Sequence, residues 1–264
     1  IPELLLLKAR SLKVKIKTRE KVQKIYREQD LWKVQTEGWT YEGDAVILAN
    51  GSKASSVQGA DGSGYVLAKE LGHHIIKPLP ALTGLKVKGN FFSAWAGVRT
   101  DCKVTLWIDG TETASETGEI QLTDYGVSGI PVFQISGMAA RALEEKRKVS
   151  VTLNFFPEYT EEKVQELLAK REKEYPELSG TERLLGLLPD KLIKVILIQK
   201  DPYRAMTAFP LEIKGTSGFE QAQVCTGGVD TSEVDPETLE SRIHKGLYFA
   251  GEVLDLDAVT GGFN

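Results

Sequence analysis

Gly246-Leu247-Tyr248-Phe249-Ala250-Gly251-Glu252-Val253-Leu254-Asp255, followed closely by Thr260-Gly261-Gly262-Phe263-Asn264, is the stretch on which the reading of this fold turns. Leu247 to Ala250 form the short apolar run of a core strand, and Gly251 lets the backbone turn where a side chain would obstruct it. Glu252 and Asp255 then follow the strand's carboxyl end, where open α/β sheets hold their ligands. A carboxylate there accepts hydrogen bonds from a polyhydroxylated ligand, and bare glycine N–H groups let a planar ring or an anion come close. On local chemistry alone the same residues also describe an acidic surface loop after a core strand.

Three further segments narrow the choice. The first is Ala45-Val46-Ile47-Leu48-Ala49-Asn50-Gly51-Ser52, continued by Gly59-Ala60-Asp61-Gly62-Ser63-Gly64-Tyr65 and Leu71-Gly72-His73-His74. The second is Gly118-Glu119-Ile120-Gln121-Leu122-Thr123-Asp124-Tyr125-Gly126-Val127-Ser128-Gly129-Ile130-Pro131. The third is Gln221-Ala222-Gln223-Val224-Cys225-Thr226-Gly227-Gly228-Val229 with Asp235-Pro236-Glu237-Thr238-Leu239-Glu240-Ser241. In this order, and with the closing stretch, they resemble the bacterial FAD-dependent oxidoreductases that include aminoacetone-oxidase-like and bile-acid dehydro-reductase-like enzymes.

The resemblance implies a fold and a set of site residues. The fold is α/β with mixed α+β character: a partial two-dinucleotide-fold flavoprotein core carrying an inserted β-barrel-like and helical domain. Asp255 would hold the ribityl chain of FAD, and Gly261, Gly262, Phe263 and Asn264 would face the pyrimidine edge of the flavin. Gly251, Glu252, Asn50 and Gly51 would line the cofactor site, Val22 would meet the adenine through its backbone, and Gly227 and Gly228 would pass close to the ring. Thr226 and Tyr125 are the catalytic candidates, Tyr125 as a proton donor, since a phenol of pKa about 10 donates rather than abstracts at neutral pH. NADH or NADPH is the implied reductant.

Some features depart from the family pattern. No G-x-G-x-x-G occurs, and the family's first strand, pyrophosphate-binding helix and ribose-binding acidic residue would lie before Ile1. The helix expected after the Gly-Gly-aromatic-Asn motif would lie beyond Asn264. The sequence thus reads as an excised piece or an incompletely represented chain. Asn50 and Ser52 stand where Thr and Gly are usual, and Lys200 to Phe209 reads as a trimmed loop where relatives carry more helix.

Bulk properties set outer bounds. The 264 residues, with a net charge of −4 and cations interspersed among anions, offer no broad basic face, so a small molecule rather than nucleic acid is the expected partner. Leu4 to Leu7 is too short to span a bilayer and lacks the flanks of a signal peptide. The 2 cysteines, Cys102 and Cys225, form neither a CxxC pair nor a disulfide framework, which fits a reducing, cytoplasmic setting. Oligomeric state is not written in the sequence.

Along the chain, residues 1–82 and 210–264 read as the discontinuous core and 83–209 as the insert. Val14 to Thr36 reads as a β-meander leading to a strand over Asp44 to Ala49, and Tyr65 to Leu71 as a short helix closed by Gly72. In the insert, strands are expected at Leu85–Val87, Phe91–Val98, Val104–Ile108 and Val149–Phe155, with a hairpin at Asp109-Gly110. Helices are expected from about Ser128, which would be the N-cap, to Glu145, from Thr160 to Pro176, over Thr181–Leu188 and over Pro189–Gln199. From Phe209 the chain returns to strands through a Gly227-Gly228 turn. The Gly59–Gly64 loop, although glycine-rich, matches no phosphate-binding fingerprint and reads as a lead-in to the helix. His73 and His74 read as surface or packing residues, His244 as solvated and Cys225 as a small buried side chain. Two functions follow: an FAD-dependent oxidoreductase passing electrons to an electron-poor alkene or to oxygen, or a flavin-free module whose insert binds a partner.

Overall fold

The computed structural model describes residues 2–56 and 59–260. Helix α1 (Pro2–Ser11) precedes an antiparallel meander of β1 (Val22–Glu28), β2 (Leu31–Thr36) and β3 (Thr40–Gly43). The alternation seen in the sequence carries Ile25 and Trp32 inward; Trp32 is fully buried and its indole N–H donates to the Lys245 carbonyl at 3.3 Å. Strand β4 (Val46–Leu48) leads to α2 (Ser63–Glu70), which ends as expected with Gly72 in the left-handed region at φ 88°. Strand β5 (Ile75–Ala81) then carries the chain to the insert.

The insert is built on a closed six-stranded barrel of β6 (Leu85–Val87), β7 (Arg99–Ile108), β8 (Thr111–Leu122), β9 (Gly126–Gly129), β10 (Val149–Asn154) and β11 (Phe209–Thr216). The Asp109-Gly110 hairpin forms: both residues have positive φ, 52° and 83°, matching the twist of β7 and β8 across the turn. Val87, Val104, Leu106, Ile120, Leu122 and Val127 fill the interior. Helix α3 (Ile130–Glu144) buries Val132, Ile135, Ala139 and Ala142 and packs on both β8 and β5, so it joins insert to core. Helices α4 (Glu161–Glu174), α5 (Asp190–Leu197) and α6 (Pro202–Thr207) complete the insert. Thr160 caps α4 by accepting from the Lys163 N–H.

After β11, strand β12 (Val224–Val229) pairs antiparallel with β5, and β13 (Leu247–Phe249) pairs parallel with β4. A second core of Leu48, Tyr65, Leu67, Val229, Leu247, Phe249 and Val253 lies between these strands, α2 and the meander.

Several expectations are corrected. Residues 210–216, placed with the core by the sequence reading, belong to β11 and close the barrel. Phe91–Val98 is not a strand: Phe92–Ala94 is one 3-10 turn whose rings cluster around Phe209, with Trp95 and Phe209 centroids 5.5 Å apart. Ser128 lies in β9, and the N-cap of α3 is Gly129, which makes no side-chain cap bond. Within Thr181–Leu188 only Glu182–Leu184 is helical, as a single 3-10 turn. Lys200–Phe209 contains α6, started by the Asp201 carboxylate accepting from the Arg204 N–H. Gly227 and Gly228 lie inside β12 at a bulge rather than in a turn. His244 is half-buried and its Nε2 meets the Leu71 carbonyl at 2.6 Å.

Candidate functional site

The parallel pair β4 and β13 ends in two glycine-bearing loops that face each other. A hydrogen bond from the Ala250 N–H to the Leu48 carbonyl, 3.0 Å, extends the pairing just past both strands. Beyond it, Ala49, Asn50, Gly51, Ala250, Gly251 and Glu252 line a cleft of about 410 Å³. Gly51 and Gly251 have φ 74° and 76°, and no heavy atom lies within 4 Å of where a Cβ would stand on either. Their missing side chains therefore leave open surface. The Glu252 carboxylate is held in place by the Ser52 hydroxyl, which donates to Oε2 at 2.8 Å. Asn50 turns into α2, so close to Gly64 that a Cβ there would lie 2.0 Å from its amide.

Val22 lines a neighbouring cleft of about 630 Å³ that shares Ala49 and Asn50 with the first and includes Lys21, Asp61 and Leu67. On the other side, the loop after β13 is tied to β12: the Val229 N–H donates to the Val253 carbonyl and the Asp255 N–H to the Val229 carbonyl, both at 2.9 Å. This places the Asp255 carboxylate beside β12, where Oδ1 accepts from the Gly227 N–H at 2.7 Å and from Arg141 at 3.1 Å. Arg141 comes from α3, so a residue of the insert anchors the loop expected to hold the cofactor.

A third cleft, about 360 Å³, opens under α3 between insert and core, lined by Ala81, Leu82, Phe133, Met138, Arg141, Thr226 and Asp257. Burial pushes the Asp257 carboxyl above its usual range, with the nearby Asp255 adding to the shift and Thr226 and Arg141 opposing it. Gln134 closes one end, its Oε1 accepting from both the Thr260 N–H and hydroxyl.

The structure brings Asn50, Gly51, Gly251 and Glu252 to one cleft, Val22 to the adjoining one and Thr226 to the third, with Asp255 beside Thr226's neighbour Gly227. The Tyr125 hydroxyl is not on the wall of these clefts; it lies with Ser217 Oγ against Gly84. Gly227 and Gly228 face protein backbone, since a Cβ on them would meet Lys77 O at 2.4 Å and Leu254 C at 2.7 Å. Gly261, Gly262, Phe263 and Asn264 lie outside the described residues. Arg141, Gln134 and Asp257 were missed by sequence reasoning. A usable signal existed on α3, where Gln134, Gly137, Met138 and Arg141 follow the i, i+3, i+4, i+7 spacing of one helix face. His73 is buried, with Nδ1 3.0 Å from Glu233 and Nε2 2.9 Å from Ser241, and takes no part in these clefts.

Parallel strands ending in open glycine loops, with a fixed carboxylate just beyond, give the layout of a ligand site at the carboxyl end of strands in an α/β protein. The chain belongs to the HI0933-like family, whose Rossmann domain it matches over residues 1–264; this is an FAD-dependent oxidoreductase family. It is 41% identical over 99% of its length to a 3-dehydro-bile acid delta(4,6)-reductase of Clostridium scindens, and 27% identical over 95% to ribosomal RNA dihydrouridine synthases of Haemophilus influenzae and of Escherichia coli. The chain spans 68%, 65% and 64% of these relatives, about two thirds of each. The residues present fit the flavin of this family: Gly51 and Gly251 leave bare surface for a ligand's close approach, and the Asp255 carboxylate is fixed as an acceptor for a polyhydroxylated chain.

Proposed function

We propose that this protein reduces a carbon–carbon double bond conjugated to a carbonyl in a small molecule, using FAD recharged by NADH or NADPH. The observation that carries this reading is the pair of adjoining clefts at Val22 and at Gly51 and Gly251, which share Ala49 and Asn50, together with a separate cleft under α3 lined by Thr226 and by Arg141, the partner of Asp255. Gly51, Gly251 and Asp255 would hold FAD, Val22 would meet its adenine, and Thr226 would lie toward its ring. When bound, FAD supplies hydride transfer, while the protein supplies position and exclusion of solvent.

The chain's own residues prepare that role. Asp255 is presented as an oriented acceptor because the Gly227 N–H and Arg141 fix its Oδ1. Ala81, Leu82, Phe133 and Met138 give the α3 cleft apolar walls for a hydrocarbon skeleton, and Arg141, Thr226 and Asp257 give it one polar side. The 41% relative is named for removing double bonds of a dehydro-bile acid, and the other two for making dihydrouridine, so all three names describe saturation of a conjugated double bond. The greater similarity to the first supports a small-molecule substrate rather than RNA; among the described residues no helix is long and apolar enough to cross a membrane.

Absorption spectra of the full-length protein with and without added FAD, followed by addition of NADH or NADPH and a steroid dienone, test the proposal. A bound flavin that is bleached by the nicotinamide and reoxidised by the dienone is expected. A bound flavin reoxidised only by oxygen or by uridine-containing RNA would contradict the substrate class.

A further inference from the structure

The polar side of the α3 cleft contains one cation, and its setting suggests a specific use. Arg141 projects from a helix pinned by Val132, Ile135, Ala139 and Ala142, so its backbone is fixed. Among the described residues its guanidinium makes one ion pair, from a terminal nitrogen to Asp255 Oδ1 at 3.1 Å, and Asp255 is itself held by Gly227. A guanidinium carries five N–H donors in a rigid fork. One contact to a carboxylate orients that fork and leaves donors for a second acceptor, and Arg141 is a wall residue of the cleft with its side chain 36% exposed. The other charged group on this wall is Asp257, whose carboxyl burial pushes above its usual range while Thr226 and Arg141 oppose the shift.

We propose that Arg141 binds the carbonyl oxygen of the substrate and stabilises the negative charge that gathers there during reduction. The inference rests on the reductase reading above and adds the residue that recognises the activating group. With FAD bound in its reduced form as the two-electron donor, a hydride delivered to the β-carbon would shift the C=C π pair toward the α-carbon and place negative charge on the carbonyl oxygen, which Arg141 would hold; a solvent proton would then complete the α C–H bond and restore the carbonyl. A donor fixed before the reaction, as Asp255 fixes Arg141, stabilises such an oxygen without reorganising. The apolar walls and single cation select a hydrophobic enone or dienone over an unactivated alkene.

The test uses the full-length, flavin-loaded protein with Arg141→Gln and Arg141→Lys. The probes are para-substituted phenols of graded acidity, whose phenolate oxygen resembles the enolate oxygen; binding is read by calorimetry and by flavin difference absorption. The wild type is expected to bind more tightly as phenol acidity rises. Arg141→Gln is expected to lose that dependence and to bind the most acidic phenol at least tenfold more weakly. Arg141→Lys, which keeps the charge next to Asp255, is expected to be intermediate, with flavin affinity within about threefold of wild type. Removing the donor is expected to slow dienone reduction about 100-fold or more. Unchanged phenol affinity in both variants, or a loss that only tracks loss of flavin, would overturn the role of Arg141 while leaving the reductase reading intact. A wild type that binds reducible flavin but neither binds phenols nor reduces any enone would overturn both.

Discussion

In the barrel, Gly126 and Gly129 stand where a Cβ would lie 2.3 Å from the Leu85 carbonyl oxygen and 2.8 Å from that of Glu119; in the core, Gly51 and Gly251 also have positive φ but face open space. The first pair lets strands and α3 close on one another around a filled interior. The second pair leaves surface uncovered at the ends of β4 and β13. The barrel is thus a packed frame, and the clefts of the candidate site open at the ends of the core strands and under α3. Helix α3 packs on both barrel and core, and it is the element that brings Arg141 to Asp255.

The largest effect that could break this contrast is overfilling the barrel. Gly126→Ala combines overpacking, about 1–3 kcal/mol, with left-handed strain of about 1–2 kcal/mol. A fall of several kcal/mol in unfolding free energy by chemical denaturation is expected, and a near-neutral result would show that the barrel has room the structure denies. Gly51→Ala and Gly251→Ala meet no atoms and should cost only the strain, about 1–2 kcal/mol. A loss as large as that of Gly126→Ala would erase the distinction between the two regions.

The contact between the regions is weaker. Arg141 and Asp255 are 36% and 20% exposed, so a double-mutant cycle with Arg141→Gln and Asp255→Asn should give a coupling of about 1 kcal/mol, reduced by salt. Zero coupling at low salt would mean that α3 does not hold the loop. Smaller again is the α4 cap: Thr160→Ala should cost about 1 kcal/mol or less in the insert and leave flavin binding unchanged.

A pH measurement sharpens the picture of the core. Burial depresses the pKa of His73, with the neighbouring His244 acting in the same direction and Glu233 opposing it. The unfolded chain therefore takes up this proton first as pH falls below the ordinary histidine value of about 6.5, and stability is lost on acidification. Thermal melting across pH 7 to 5 should show that slope, and His73→Gln should flatten it. An equal slope in the variant would assign the acid sensitivity to carboxylates instead.

Much of this was legible in the sequence where the controlling contacts are local. The strands Leu31–Thr36 and Val149–Asn154 alternate, Asp109-Gly110 can hardly be other than a tight hairpin, and Gly51, Gly251, Glu252 and Asp255 follow directly on apolar runs. The turn at Phe92–Ala94 was hidden because its aromatic run suits a strand, and only packing of Phe91 and Trp95 around Phe209 decides otherwise. Strand β9 was hidden because its two glycines are explained by the backbones of β6 and β8, which are distant in sequence. Arg141 was hidden for the same reason, lying 114 residues from Asp255.

The most direct test of the account is the FAD affinity of the full-length wild type against Gly251→Ala, followed by flavin absorbance, with barrel unfolding measured on the same samples. The account predicts a bound flavin in the wild type, at least tenfold weaker binding in Gly251→Ala and an unfolding free energy lowered by no more than about 1–2 kcal/mol. Equal flavin affinity in the two proteins would contradict the claim that the open glycines at the ends of β4 and β13 form the cofactor site.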